Sequence, residues 1–344
     1  MKTGSVALVC CTGLLAGCGG GLAASPPVST TVSQSVGNPW TRAAKAAAHV
    51  YWTLYAGSSF PQVQIARLPI KAKSKAKSIG HTSSNDLLYT SGLAVDLAGR
   101  LWILSFGKYG GNPTSALVFD LPLKDASVPR YTLVLSGTSG AAALAFDPSG
   151  NLWVTSPGNT SVLQYTGPFN KSGTLNPAIT INAPSGFDPS GIAVDKSANV
   201  YVANFDSTGT NSIGVLGPPY NGNPFFLKGL TAPGGLAFDK EGNLYASSNG
   251  SNLAVVRYNA DDLKSGDKPS IVDAAGLPAD SYEAAFAFTK KGDLYAANCG
   301  NSGSAGIDVW ALSRQNFGAK LKPSVVYTNS DIQQAGCAWG IAIK

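Results

Sequence analysis

Ser91-Gly-Leu-Ala-Val-Asp96 is the stretch that decides the fold, because it returns five times along the chain. The later copies are Ala143-Leu-Ala-Phe-Asp147, Gly191-Ile-Ala-Val-Asp195, Gly235-Leu-Ala-Phe-Asp239, Ala285-Phe-Ala-Phe-Thr289 and Gly340-Ile-Ala-Ile-Lys344. Their large apolar residues Leu93, Leu144, Ile192, Leu236, Phe286 and Ile341 mark steps of 51, 48, 44, 50 and 55 residues. Five copies run into a polar turn, such as Pro148-Ser-Gly-Asn151, and then a second apolar run, such as Leu152-Trp-Val-Thr155. Two β-rich runs joined by an Asp/Gly/Asn turn read as a hairpin. The Asp that ends the phrase reads as a turn residue: its carboxylate accepts backbone N–H groups, and Gly supplies the positive φ.

A third run follows each hairpin, as in Ala116-Leu-Val-Phe119 and Ile307-Asp-Val-Trp310. A weaker fourth closes the unit, as in Tyr131-Thr-Leu-Val-Leu135. Four short strands per unit at a period of roughly 40–50 residues are the signature of a β-propeller. The first run is apolar and rich in Ala and Gly, which suits an innermost strand crowded around an axis. The last copy stops at Lys344 without a hairpin partner. Val50–Tyr55 and Gln62–Ala66 read as second and third strands that no inner strand precedes. The expected fold is therefore all-β, a six-bladed β-propeller over residues 46–344. Pairing the C-terminal inner strand with the N-terminal blade would close the ring and remove the open edge.

The pattern Gly191-Ile-Ala-Val-Asp195 followed by Asn199-Val-Tyr-Val-Ala-Asn204 resembles NHL repeats. More loosely it resembles the gluconolactonase and senescence-marker-protein superfamily of six-bladed propellers. The resemblance spans residues 46–344 and implies the fold. It leaves function open, since such propellers include lyases, lactonases and interaction modules.

The chain starts Met1-Lys2, runs through an apolar stretch from Val6 to Leu15 and reaches Leu15-Ala-Gly-Cys18. A positive start, a run too short to span a membrane and a small-residue cleavage site read as a signal peptide over residues 1–17. Leu15-Ala-Gly-Cys18 is similar to the bacterial lipobox, which implies cleavage before Cys18 and a lipid on its sulfur. An ordinary signal peptide with an incidental cysteine is the other reading. Residues 18–45 are rich in Gly, Ala, Ser, Thr and Pro and read as a flexible tether. Gly19 after the cysteine favours the outer membrane in a Gram-negative host. The expected location is the bacterial cell envelope, with the membrane reached through the lipid anchor.

Charged residues make up 13% of the chain, with 40 Gly and 21 Pro, which fits a rigid exported β protein. The net formal charge of +6 is modest. Lys71, Lys73, Lys75 and Lys77 form its one dense patch. It reads as an outermost strand protected against edge pairing, or else as an anionic-surface site. No nucleic-acid partner is expected, and the chain is expected to act as a monomer. Of five cysteines, Cys10 and Cys11 fall in the signal and Cys18 takes the lipid. Cys299 and Cys337 remain as a pair in an oxidising compartment, on loops of one face of adjacent blades. A disulfide between them is expected, with free thiols or a metal pair as alternatives.

Chemistry is sparse. The two histidines, His49 and His81, are too few for the zinc site that the NHL-type amidating lyases use. The resemblance to lactonases implies Glu, Asn and Asp just before inner strands, bound to a divalent ion. The matching positions here are Ser91, Ala142, Ser190, Gly234, Ala284 and Trp339, so no metal or other cofactor is expected. Glu283, beside an inner strand, could pair with Asp206. The loop face further offers Phe106, Tyr109, Asn159, Asn204, Asn249, Asn301 and Trp339. Asn in such loops caps turns. Together with the aromatics the set could bind a sugar-like or peptide ligand. The expected function is a binding or scaffolding module with a protein or carbohydrate partner. A lactonase- or lyase-type enzyme with an atypical site, or a small-ligand receptor, is the alternative.

Overall fold

The computed structural model describes residues 49–55, 62–67, 77–79, 90–105, 114–123, 127–183, 188–204, 211–250, 253–264, 269–273, 282–299, 306–312, 317–318, 324–328 and 337–344. Ala47–Lys344 form one compact unit. The expected signal peptide, Cys18 and the tether lie outside the described residues, as do His81 and Lys71–Lys75.

The described chain is almost wholly strand. The first three strands are β1 (His49–Tyr55), β2 (Gln62–Arg67) and β3 (Lys77–Ile79). Next come β4 (Thr90–Val95), β5 (Leu101–Ser105), β6 (Ser115–Phe119) and β7 (Tyr131–Leu135). Then follow β8 (Leu144–Phe146), β9 (Leu152–Ser156), β10 (Ser161–Tyr165), β11 (Gly173–Leu175) and β12 (Ile179–Asn182). The next group is β13 (Pro189–Val194), β14 (Val200–Asn204), β15 (Ser212–Leu216) and β16 (Phe225–Leu227). After it come β17 (Pro233–Phe238), β18 (Leu244–Ser248), β19 (Ala254–Tyr258) and β20 (Ile271–Asp273). The last are β21 (Glu283–Phe288), β22 (Leu294–Asn298), β23 (Gly306–Trp310), β24 (Ser324–Thr328) and β25 (Cys337–Ile343).

These strands assort into six sheets. Five follow the chain from inner strand outward, starting at β4, β8, β13, β17 and β21. The sheet β25-β1-β2-β3 draws on both ends. There Val50, Tyr51 and Trp52 face Ile343, Ala342 and Ile341, and Lys344 exchanges both backbone hydrogen bonds with His49. β11 leaves its own sequence unit to add a parallel fifth strand beside β7. The outer strand of the first sheet is β3, and it includes Lys77, the last of the four clustered lysines.

Each inner strand packs on those of two neighbouring sheets: β8 on β4 and β13, β17 on β13 and β21, β25 on β21 and β4. Apolar clusters lie between sheets rather than within them. One joins Trp102 and Leu104 to Leu144, Leu152 and Phe169. Another joins Val50, Trp52 and Ile341 to Tyr295 and Ile307. This is a β-propeller. The small residues of the phrase explain themselves here. A Cβ on Gly191 would run into the carbonyl oxygen of Gly234, and one on Gly340 into that of Ser91. The phrase-ending Asp is a turn residue, as expected. Asp147 accepts from the N–H groups of Ser149 and Asn151 at 2.9 Å each, and from the Trp153 indole at 3.2 Å.

Hydroxyl groups stitch neighbouring sheets together in an alternating pattern. In three sheets a hydroxyl on the second strand accepts from its own inner strand and donates to the next one. Thr53 accepts from Gly340 N (2.9 Å) and donates to Ser91 O (2.8 Å). Thr155 accepts from Ala143 N (3.0 Å) and donates to Ser190 O (2.7 Å). Ser247 accepts from Gly234 N and Gly235 N and donates to Glu283 O (2.8 Å). In the sheets between them the same position is Leu104 or Ala203, and an inner-strand serine acts instead. Ser91 donates to Ala141 O at 2.9 Å. Ser190 shares its proton between Ala203 O (3.2 Å) and Pro233 O (3.4 Å). The sheet of β21 carries Ala297 and Ala284 at the two places. Neither side chain has a hydroxyl, so that sheet makes no such stitch to β25.

Candidate functional site

The inner strands surround a cavity of about 70 Å3. All six contribute the same part of the phrase, from Gly92 and Leu93 to Trp339 and Ile341. Each strand gives the wall one large apolar side chain, and most give alanine or glycine as well, where the neighbouring strand approaches too closely for anything larger. Tyr282 is the only ionisable side chain among the lining residues. Its ring stacks on Trp339, with centroids 6.0 Å apart and planes 16° from parallel. Both rings are half-buried. The stack spans the one junction that lacks a hydroxyl stitch.

Beside this pair lies an acid cluster. Glu283 starts β21 and is 2% exposed; Asp308, in the middle of β23, is fully buried. Asn298 ends β22 opposite Glu283, also fully buried. Its Nδ2 donates to Asp308 Oδ2 at 2.8 Å, and its Oδ1 accepts from Tyr282 N at 3.3 Å. Neither carboxyl oxygen of Glu283, nor Oδ1 of Asp308, meets a donor among the described residues. Burial pushes the Glu283 carboxyl well above its ordinary range, and the charge of Asp308 pushes it further. Burial raises Asp308 too, against the lowering effect of the Asn298 hydrogen bond.

The structure brings three of the sequence candidates together here: Glu283, Trp339 and Asn249. Asn249 clamps the Glu283 backbone, accepting from its N–H at 3.0 Å and donating to its carbonyl at 3.4 Å. Asn159 sits apart and ties a turn, donating to Gly137 O at 2.6 Å and accepting from Ser161 at 3.0 Å. Phe106, Tyr109, Asp206 and Asn301, and the side chain of Asn204, lie outside the described residues. Among the described residues, the carboxyl set against Glu283 is Asp308. Sequence reading missed Asp308 and Asn298. The signal for Asp308 was there: it is an acid inside the apolar run Ile307-Asp-Val-Trp310. Cys299 is disulfide-bonded. The side chain of Cys337 lies outside the described residues. Among the described residues no three His, Cys, Asp or Glu side chains gather as metal ligands.

No family model and no curated protein matches the chain. Solved structures do. A protein of unknown function from Bacteroides caccae is 14% identical, with a TM-score of 0.56 over 87% of this chain and 99% of that one. A gluconolactonase from Xanthomonas campestris is 15% identical, with a TM-score of 0.54 over 84% and 89% of the two chains. A virginiamycin B lyase variant from Staphylococcus aureus, solved with quinupristin, is 12% identical, with a TM-score of 0.50 over 81% and 85%. At such identities the likeness is one of fold: the chain shares the β-propeller that lactonases and lyases also use.

Proposed function

We propose that this chain is a six-bladed propeller, closed where β25 completes the sheet of β1, β2 and β3, that binds an uncharged ligand at its axial mouth. The cyclic packing of inner strands supports the closure. One observation carries the binding role: the cavity wall is apolar, ends in the Tyr282–Trp339 stack, and among the described residues holds no proton carrier besides a tyrosine. Acid–base chemistry needs a carrier within hydrogen-bond reach of the substrate. An aromatic platform needs only a ligand with a flat apolar face, such as a sugar ring or a peptide side chain. Titrating the chain with neutral oligosaccharides and peptides should quench tryptophan fluorescence for at least one of them. Trp339→Ala should weaken that binding roughly tenfold or more, while the melting temperature holds. Equal binding by the variant would refute the assignment.

A lactonase- or lyase-type activity is the second reading. The acid pair beside the cavity and the fold shared with such enzymes favour it. Hydrolysis of an aldonolactone by the purified chain, lost in Glu283→Gln, would put it first.

The reading includes export and lipid anchoring at Cys18 on the bacterial envelope. Two or more acyl chains hold a protein stably where one does not. Cys18→Ser should therefore move the protein from the membrane fraction to the soluble one. A protein that stays with the membrane would show that something else holds it.

A further inference from the structure

We propose that Glu283 and Asp308 form a proton-binding site, in which a single proton on Glu283 is donated to Asp308 Oδ1 and held between the two carboxyl groups. The site lies behind the cavity wall, and the proposal stands independently of the ligand reading.

The geometry makes the argument. Three carboxyl oxygens, two of Glu283 and one of Asp308, are buried without a donor among the described residues. Two ionised carboxylates can only repel one another. One proton turns the same contact into a hydrogen bond, provides the donor that Asp308 Oδ1 lacks and removes one of two buried charges. The proton belongs on Glu283, because Asn298 already donates to Asp308 at 2.8 Å and so favours its ionised form.

Among the described residues no cation acts on Glu283. From the facing sheet, Tyr245 packs on the same face as Ala296 and Trp310. Arg257 stands opposite Tyr245 and acts on its phenol rather than on Glu283. On the pair's own sheet, Tyr282 turns to the cavity and stacks on Trp339. Asp308 is the one charged group that acts on Glu283 among the described residues. A hard metal ion is a poor substitute. Calcium takes about six to eight oxygens. Two carboxyl groups give three unused ones, and the Asn298 carbonyl is taken by Tyr282 N.

The sign of the pH effect follows. A carboxyl whose folded pKa is raised stabilises the fold fully below its unfolded value. That contribution is lost as pH rises toward the folded value. Because folding takes up one extra proton in that window, the folding equilibrium should fall by about tenfold per pH unit there. Ionisation would also push on the start of β21, where Tyr282 hangs from Asn298.

Three measurements on the full chain test this. Infrared spectra of the native protein at neutral pH should show the carbonyl band of a protonated carboxylic acid, and Glu283→Gln should remove it. Denaturant titrations across rising pH should show the wild type losing stability relative to Glu283→Gln, whose amide donates to Asp308 without titrating. Asp308→Asn serves as the second variant. If the variants fail to fold, the infrared band and the proton uptake on refolding of the wild type decide alone. Absence of the band, or parallel pH profiles, would overturn the proposal. So would a melting temperature raised by calcium over chelator in the wild type and not in Glu283→Gln, which would make the ligand a metal ion.

Discussion

Deleting Gly340–Lys344 should leave a chain that no longer folds cooperatively. The segment contributes most of the inner strand of the sheet that joins the two ends. Its loss strips backbone partners from His49 and Tyr51 and removes Ile341 and Ala342 from the core. Each apolar side chain lost from a core costs about 1.5–3 kcal/mol, and each buried backbone group left unpaired about 1–3 kcal/mol. Val50 and Trp52, fully buried in the intact chain, would face solvent on an open edge. The total is on the order of the 5–15 kcal/mol by which a domain is stable at all. A melt followed by circular dichroism checks it. A truncated chain that unfolds at the intact temperature would show that β25 does not hold the ring.

The second large effect should come from a disulfide. Cys299 is bonded, and its proposed partner is Cys337, at the start of β25. That bond would lie at the junction where Ala284 and Ala297 leave no hydroxyl to reach across. Closing a loop of 38 residues is worth about 2–4 kcal/mol by loop entropy. Reduction should lower stability by about that much. A peptide map of the unreduced protein should link the two cysteines; two alkylated thiols would rule the pairing out.

The inner strands were legible because the same apolar phrase recurs, and a strand crowded around an axis admits few residues besides Ala, Gly and one branched side chain. The turns were legible because Asp147 and its counterparts act on neighbours within a few residues. What escaped was set by distant partners. β11, Gly173-Thr-Leu175, has no strand pattern of its own and is a strand because β7 offers it an edge. Asp308 reads as an interruption of a third strand. It becomes half of a carboxyl pair only when β21 lies two strands away. Trp339 was expected near the axis, whereas its stacking partner Tyr282 comes from the neighbouring sheet.

The hydroxyl stitches have a longer period than the phrase that first revealed the fold. Thr53, Thr155 and Ser247 recur at every second sheet, with Ser91 and Ser190 in the sheets between. Counted by wiring rather than by shape, the architecture is three tandem couples of unlike halves. A couple is then the natural unit to duplicate, exchange or delete, since a single added half would set two of one kind side by side. The third couple ends in alanine at both places, beside the sheet in which β25 pairs with β1.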